Sequence, residues 1–305
     1  MSKPPAKPYN KKALSLAEQI QHLKSKKLII LNEADVERKL KFISFHRING
    51  YTLGFREDKT DYSSNFICGT TFDDIFDCYV FDRELKLLIT DALERIEIAI
   101  RTVMANILSD RHTPHWYTNF TLFSPSAKYE TDIFPTIKRE IKRSQRNVFI
   151  KHYYDNYNSP EHPPSWVIAE VISFSKWSII FANLHDADKK AIAAEFGFHY
   201  EEMKSWLETL SWVRNSCAHH ARMWNTSILK SPRLKGLKKH GYHGAVPNGN
   251  CLYASLIIIQ IFIKVIAPHS TWKEKLKDLV LKKHSNIPVS TLGFPKEWET
   301  MDFWK

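Results

Sequence analysis

The sequence predicts an all-α, mainly helical protein: a helical bundle with a small helical N-terminal extension and one short hairpin. Three observations carry this. Only 9 of the 305 residues are glycine. Apolar residues recur at steps of three and four over long helix-compatible stretches, and the alternating pattern of half-buried strands is scarce. The composition, 43% hydrophobic and 13% aromatic, supplies apolar surface for one large core or two modest ones.

The elements follow in chain order. Behind the Pro/Lys-rich leader "MSKPPAKPYNKK", two short helices are expected over 14–25 and 33–48, the second ending at "INGY", where Gly50 suits a C-cap. "YTLGF" and "NFICGTTF" read as the hairpin. The strongest helical pattern runs from Phe72 to about Leu108, where Phe81, Leu85, Leu88, Ala92, Ile96, Ala99, Val103 and Ile107 form one apolar stripe that must pack on other helices. Residues 132–157 read as a basic helix, and "NSPEHPPSW" as a loop whose prolines set up the next start, with Ser165 capping a helix to about Leu184. A short helix over 187–196 closes at Gly197, and Tyr200 to Trp224 is helical with a break before the motif discussed below. Helices over 251–267 and 271–283 complete the bundle, and Phe294, Trp298, Phe303 and Trp304 pin the tail "GFPKEWETMDFWK" onto the body. The organisation expected is an N-terminal extension over 1–70, a helical domain over 71–285 and a packed aromatic tail over 286–305.

Lys and Arg exceed Asp and Glu by 11, which favours polyanionic partners, nucleic acid or an acidic membrane surface. The cysteines Cys68, Cys78, Cys217 and Cys251 stand far apart with no C-x-x-C pair, so neither a zinc knuckle nor a disulfide framework is suggested and a reducing cytoplasm fits. The leader has no apolar core and does not read as a signal peptide. The most apolar run, Cys251 to Pro268, falls short of the roughly 20 residues that span a bilayer, and Gln260 and Lys264 interrupt it. It reads as a buried core helix. No strongly amphipathic terminal helix stands out to favour a membrane-surface effector.

One short segment concentrates expensive polar side chains: "WVRNSCAHHARMWN", Trp212 to Asn225. At about 100° per residue, Leu210, Val213, Cys217, Ala221 and Trp224 fall within an arc of about 80°, the core-facing side. Asn215, His219 and Arg222 share the opposite stripe, and Arg214 lies at its flank, able to swing toward His219. His220 points roughly 100° away from His219, so the two have separate roles. An Arg, an Asn and a His on one surface suit cleavage of RNA, whose 2′-hydroxyl attacks the adjacent phosphate once a base takes its proton and a cation neutralises the developing charge. Imidazole, with a pKa near 6.5, moves protons at neutral pH. Guanidinium holds phosphate oxygens bidentately and keeps its charge. Asn215 either orients His219 or holds the phosphate. Spacing alone does not carry the case, because an Arg and a His five apart on an exposed helix face arise often by chance.

The string "RNSCAH", Arg214 to His219, resembles the R-x4-H signature of HEPN-domain ribonucleases in the form with Asn after Arg. The wider segment resembles the motif helix of the bacterial Abi-like abortive-infection proteins of the AbiD/AbiF type. "YVFDRELKLLITDALERIEIAIRT", Tyr79–Thr102, is similar to that family's helix of Asp-Arg, Glu-Arg and Glu followed by Arg. "PPSWVIAEVISFSKWS", Pro163–Ser178, is similar to its Pro-Ser-Trp…Glu…Ser-Phe segment, and "GFPKEW" to its C-terminal signature. The chain departs at Ser175 followed by Lys176, where relatives commonly carry Gly after Phe. The resemblance implies an all-α HEPN bundle acting as a metal-independent endoribonuclease, with two motifs meeting across a homodimer and cleavage leaving 2′,3′-cyclic phosphate and 5′-hydroxyl ends. It implies Arg214 and His219 as the catalytic pair with Asn215 in support. It also implies phage defence, with toxicity restrained in some systems by a small non-coding RNA.

Other residues read in two ways. Glu94, Glu97 and Arg101 form a polar stripe on an apolar helix; Glu97 to Arg101 is an ordinary helix ion pair, or the carboxylates orient Arg214 or Arg222. Glu170, inside "WVIAEVISF", is a buried ion-pair partner or supports the site; burial demands a partner in both cases. Lys138, Arg139, Lys142, Arg143 and Arg146 are a solvated face or an RNA track, with Tyr153, Tyr154 and Tyr157 available for stacking. Lys230, Arg233, Lys235, Lys238, Lys239 and His240 follow the motif as a flexible basic loop able to close over substrate. A metal hydrolase on His219 and His220 is not expected, because adjacent helical histidines diverge and no carboxylate stands at ligand spacing. No cofactor is expected. The alternative to the enzyme is a non-catalytic RNA-binding regulator.

Overall fold

A computed structural model describes residues 12–124, 128–246 and 248–305. All of the leader but Lys12 lies outside them. The structure is 62% helical, with 12 α-helices and no strand among the described residues, an all-α bundle. It divides into two units, one ending at Arg83 and one spanning Glu84–Lys305.

In the first unit, α1 (Leu16–Ser25) starts at a capping box, with Ser15 Oγ accepting from the Glu18 amide and the Glu18 carboxylate accepting from the Ser15 amide at 2.7 Å. The expected second helix is two: α2 (Glu33–Ile43) and α3 (Phe45–Asn49). Ser44 interrupts them at φ 74°, its hydroxyl capping the Arg47 amide at 3.3 Å, and Gly50 remains right-handed at φ −57°. The expected hairpin reduces to one antiparallel bridge, Arg56 to Phe66, and Leu53–Phe55 is a 3₁₀ turn. Asp58 and Asp61 explain why: each accepts from a backbone amide two residues on, Thr60 at 2.8 Å and Ser63 at 2.7 Å, and these local turns compete with a strand ladder. Arg56, 1% exposed, lies 3.9 Å over the Phe66 ring and donates to the Ser64 carbonyl.

The helix α4 (Phe72–Arg111) runs 40 residues. Its buried face in the second unit is Leu85, Ile89, Ala92, Leu93, Ile96, Ile100, Met104, Ala105 and Leu108, whereas Leu88, Ala99, Val103 and Ile107 are half-buried. The apolar arc is wider than a single stripe, so periodicity located the helix and misjudged which edge turns inward. Polar contacts fasten α4 along its length. The Trp272 indole donates to the Leu88 carbonyl at 2.8 Å, Ser109 and Ser165 hydroxyls meet at 2.9 Å, and Arg111 and His112 grip the buried Asp188 at 2.8 and 3.0 Å.

The expected basic helix over 132–157 is also two, α5 (Phe134–Arg143) and α6 (Val148–Asn156), because Asn147 starts a new helix by capping the Phe149 amide at 2.9 Å. Ser165 does not cap a long helix. It is the first residue of the four-residue α7 (Ser165–Ile168), behind Pro164, and the chain restarts from an extended Ser173 into α8 (Phe174–Asn183). Then come α9 (Asp186–Glu195), closed by Gly197 at φ 70°, α10 (Tyr200–Ala218), α11 (Leu252–Ile266) and α12 (Trp272–Asp278). Every residue of α11 from Leu252 to Ile263 is buried, which makes it the core helix.

The aromatics of the C-terminal segment, Phe294, Trp298, Phe303 and Trp304, are buried. The Trp304 indole donates to the Tyr253 hydroxyl at 2.8 Å, and Phe294 packs 4.6 Å from the same ring. Trp304→Ala is therefore expected to cost about 3–5 kcal/mol, and Trp304→Phe clearly less, as read from guanidinium unfolding midpoints.

Candidate functional site

The motif segment is built around the end of α10. Leu210, Val213 and Cys217 face the core as the periodicity predicts. The helix, however, stops at Ala218 inside the motif and not before it. His219 is its C-cap, and His220 adopts φ 56°. The His220 amide donates to the Cys217 carbonyl at 3.0 Å and the Ala221 amide to Ser216 at 2.9 Å, the paired bonds of a Schellman turn. Glycine usually occupies the left-handed position of such a turn; here a histidine does. The stripe Asn215–His219–Arg222 consequently does not exist, because Arg222 lies beyond the turn, half-buried. Ala221 is exposed, and Trp224 reaches the core from the following coil.

Glu97 holds Arg214, and Ser175 holds its neighbour Asn215. The Glu97 side chain is 8% exposed; its Oε2 accepts from Arg214 Nε at 3.2 Å, and its Oε1 accepts from Arg101. Glu97 thus pairs one helical turn along with Arg101 and also with Arg214 from α10. One carboxylate between two guanidiniums leaves a net positive site, and Arg214 stays 36% exposed. Its Nη1 reaches Asn215 Oδ1 at 3.5 Å, and Asn215 Nδ2 donates to Ser175 Oγ at 2.9 Å. Asn215 therefore braces the arginine and not His219, whose side chain stands exposed five residues, about 7.5 Å of helix rise, beyond Arg214.

Two residues of this neighbourhood were not anticipated. Ser175, where the chain departs from the family pattern, anchors Asn215 from α8. Lys86, 8% exposed on α4, donates its ammonium to the Ala221 carbonyl at 3.1 Å, where the backbone emerges from the helix end. A lysine at a core register, between Leu85 and Ile89, was the signal for it. Glu94 is exposed. Glu170 is exposed too, in the turn between α7 and α8, because the helix expected to bury it ends at Ile168; it is not a buried carboxylate in need of a partner. Among the described residues no group of three or more His, Cys, Asp or Glu is placed to hold a metal ion.

Lys138, Arg139, Lys142 and Arg143 are exposed on α5 above buried Ile137 and Ile141, and Arg146 is exposed in the turn that follows. Of the tyrosines, Tyr154 and Tyr157 are open, whereas Tyr153 is 7% exposed with its hydroxyl donating to the Pro160 carbonyl at 2.6 Å. The second basic segment is not a free loop over the motif. Lys230 pairs with Glu208 at 2.7 Å and its carbonyl accepts from Thr209 at 2.9 Å. Arg233 pairs with Glu201, and its backbone bonds to Ser205 and Trp206. The segment returns along α10 toward its N-terminus, and Glu201 stands about 27 Å of helix rise from His219. Lys235, Lys238 and Lys239 are exposed on that returning segment.

Two stability measurements follow. Glu97→Gln is expected to destabilise by about 1–3 kcal/mol, since two guanidiniums lose their shared anion. At the helix end, His220→Val is expected to cost about 1–2 kcal/mol more than His220→Gly, because a β-branched residue resists positive φ. Equal midpoints for the two would refute the turn.

Residues 38–225, more than half of the chain and including α4, α8 and the motif, match the Abi-like protein family. Comparison with curated proteins and with solved structures returned no match. The family suggests a part in abortive-infection defence. With its motif segment, the Glu97 helix and the Ser175 helix all inside the matched region, the chain belongs to the Abi-like protein family.

Proposed function

We propose that this protein is a HEPN-type, metal-independent endoribonuclease of abortive-infection defence. The observation that carries the reading is the pairing of a pinned, part-exposed Arg214 with an exposed His219 one turn and a half further along the same helix. Arg214 binds the nonbridging oxygens of the scissile phosphate, its orientation set by Glu97 and Asn215. The 2′-oxygen attacks phosphorus as an imidazole takes its proton, the bond to the 5′-oxygen breaks, and an imidazolium protonates that leaving oxygen. The products are a 2′,3′-cyclic phosphate and a 5′-hydroxyl. The step needs a base and an acid. His219 supplies one per chain, so a homodimer that brings two α10 ends together supplies both. The exposed cations of α5 and of residues 235–239 contribute RNA affinity through phosphate contacts. A restraining RNA would use the same cations.

One observation favours a second reading, a non-catalytic RNA-binding regulator: no described side chain orients the His219 ring, which is unusual for a general base. Expression of wild type against Arg214→Ala and His219→Ala, with 5′-hydroxyl ends mapped in total RNA, separates the two. The enzyme reading expects growth arrest and new ends with wild type only, each variant losing roughly 10²–10⁴ in cleavage rate. Retarded but uncut RNA, at rest and under phage infection alike, selects the regulator.

A further inference from the structure

A cavity of about 440 Å³ opens where α6, the turn after it and α7 meet, lined by His115, Phe149, His152, Tyr157 and Trp166 among others. That volume lies within the range of small-ligand sites. Phe149, Tyr157 and Trp166 are 54%, 55% and 50% exposed, three large rings left open to solvent in one place. Their surroundings are braced. Tyr157 packs 5.4 Å from Tyr153, whose hydroxyl is tied to Pro160, and 6.5 Å edge-on to His152. His115 borders the cavity with its ring nitrogen Nε2 buried.

We propose that this cavity receives an unpaired nucleobase of single-stranded RNA, stacked against Trp166 and Tyr157. The proposal rests on the RNA reading above and names its substrate class. Burial, and the nearby His162, hold the His115 imidazole below its ordinary range, so the ring is neutral at neutral pH and adds no positive charge to the cavity wall. Base–aromatic stacking tolerates any base, and a duplex, whose bases are already stacked, does not supply one. Charge argues for a nucleic acid over a proline-rich peptide, the other occupant of aromatic grooves: exposed Lys138, Arg139, Lys142 and Arg146 lead directly into α6, three residues before Phe149. Trp166 and Ser175, which anchors Asn215, are nine positions apart, so the chain limits the cavity to about 30 Å from that anchor. A strand of roughly nine nucleotides at about 3.4 Å rise covers this distance.

The test uses two probes. AMP and UMP are titrated into wild type and Trp166→Phe with tryptophan fluorescence as readout, and a proline-rich peptide is titrated alongside. A labelled single-stranded RNA of roughly 12 nucleotides, and a duplex of the same length, are titrated into cleavage-deficient His219→Ala with and without Trp166→Ala or Tyr157→Ala. Saturable nucleotide quenching that Trp166→Phe abolishes is expected, as is a 5- to 150-fold loss of single-strand affinity in Trp166→Ala, corresponding to about 1–3 kcal/mol per stacked base, with duplex binding unchanged. Undiminished single-strand affinity in both aromatic variants overturns the proposal and leaves the nuclease reading standing. Quenching by the peptide and not by nucleotides also overturns it. If the cavity effects appear but wild type never cuts RNA, the base site stands and the nuclease reading falls.

Discussion

Burial of the Glu97 carboxylate is the constraint on which the motif geometry depends. An ionised group 8% exposed in the middle of α4 is tolerable only if cations meet it, and two do, Arg101 from its own helix and Arg214 from α10. The pairing with Arg101 alone would satisfy local chemistry. The second pairing ties α4 to α10 and spends part of Arg214's hydrogen-bonding fork on the protein, leaving the remainder for a ligand anion. Asn215, itself held by Ser175 on α8, steadies the same guanidinium. Three helices therefore determine where one positive charge stands.

The end of α10 works by a different principle. A Schellman turn with histidine at its left-handed position stops the helix at Ala218 and leaves His219 exposed, while Lys86 meets the Ala221 carbonyl as the backbone turns away. A non-glycine residue at positive φ is a local cost that surrounding structure must offset, and such positions concentrate where a site needs a backbone other than the regular one. Had the helix continued to Trp224, His219 and Arg222 would have shared one face; the turn separates them.

Local rules misread the chain where short polar residues compete with the helix. Ser44, Asn147 and Ser173 each start a helix inside what periodicity reads as one, because capping is decided by a single side-chain oxygen or one extended residue that a pattern of apolar spacing does not register. The basic segment after the motif failed for another reason. Its cations were legible, but the carboxylates Glu201 and Glu208 that fold it back lie on a different helix turn more than twenty residues away.

The sequence by itself determined the all-α class, the long α4, the buried α11, and the Arg214, Asn215 and His219 motif, because apolar periodicity and a short motif are properties of neighbouring residues. Tertiary structure alone decided that Glu97 serves Arg214 as well as Arg101, that Ser175 and Lys86 attend the motif, that Glu170 is a surface residue, and that three exposed aromatic rings share one cavity. Each of these depends on which residues from distant segments meet in space. Burial and pairing of a charge are set by that meeting and not by spacing along one helix.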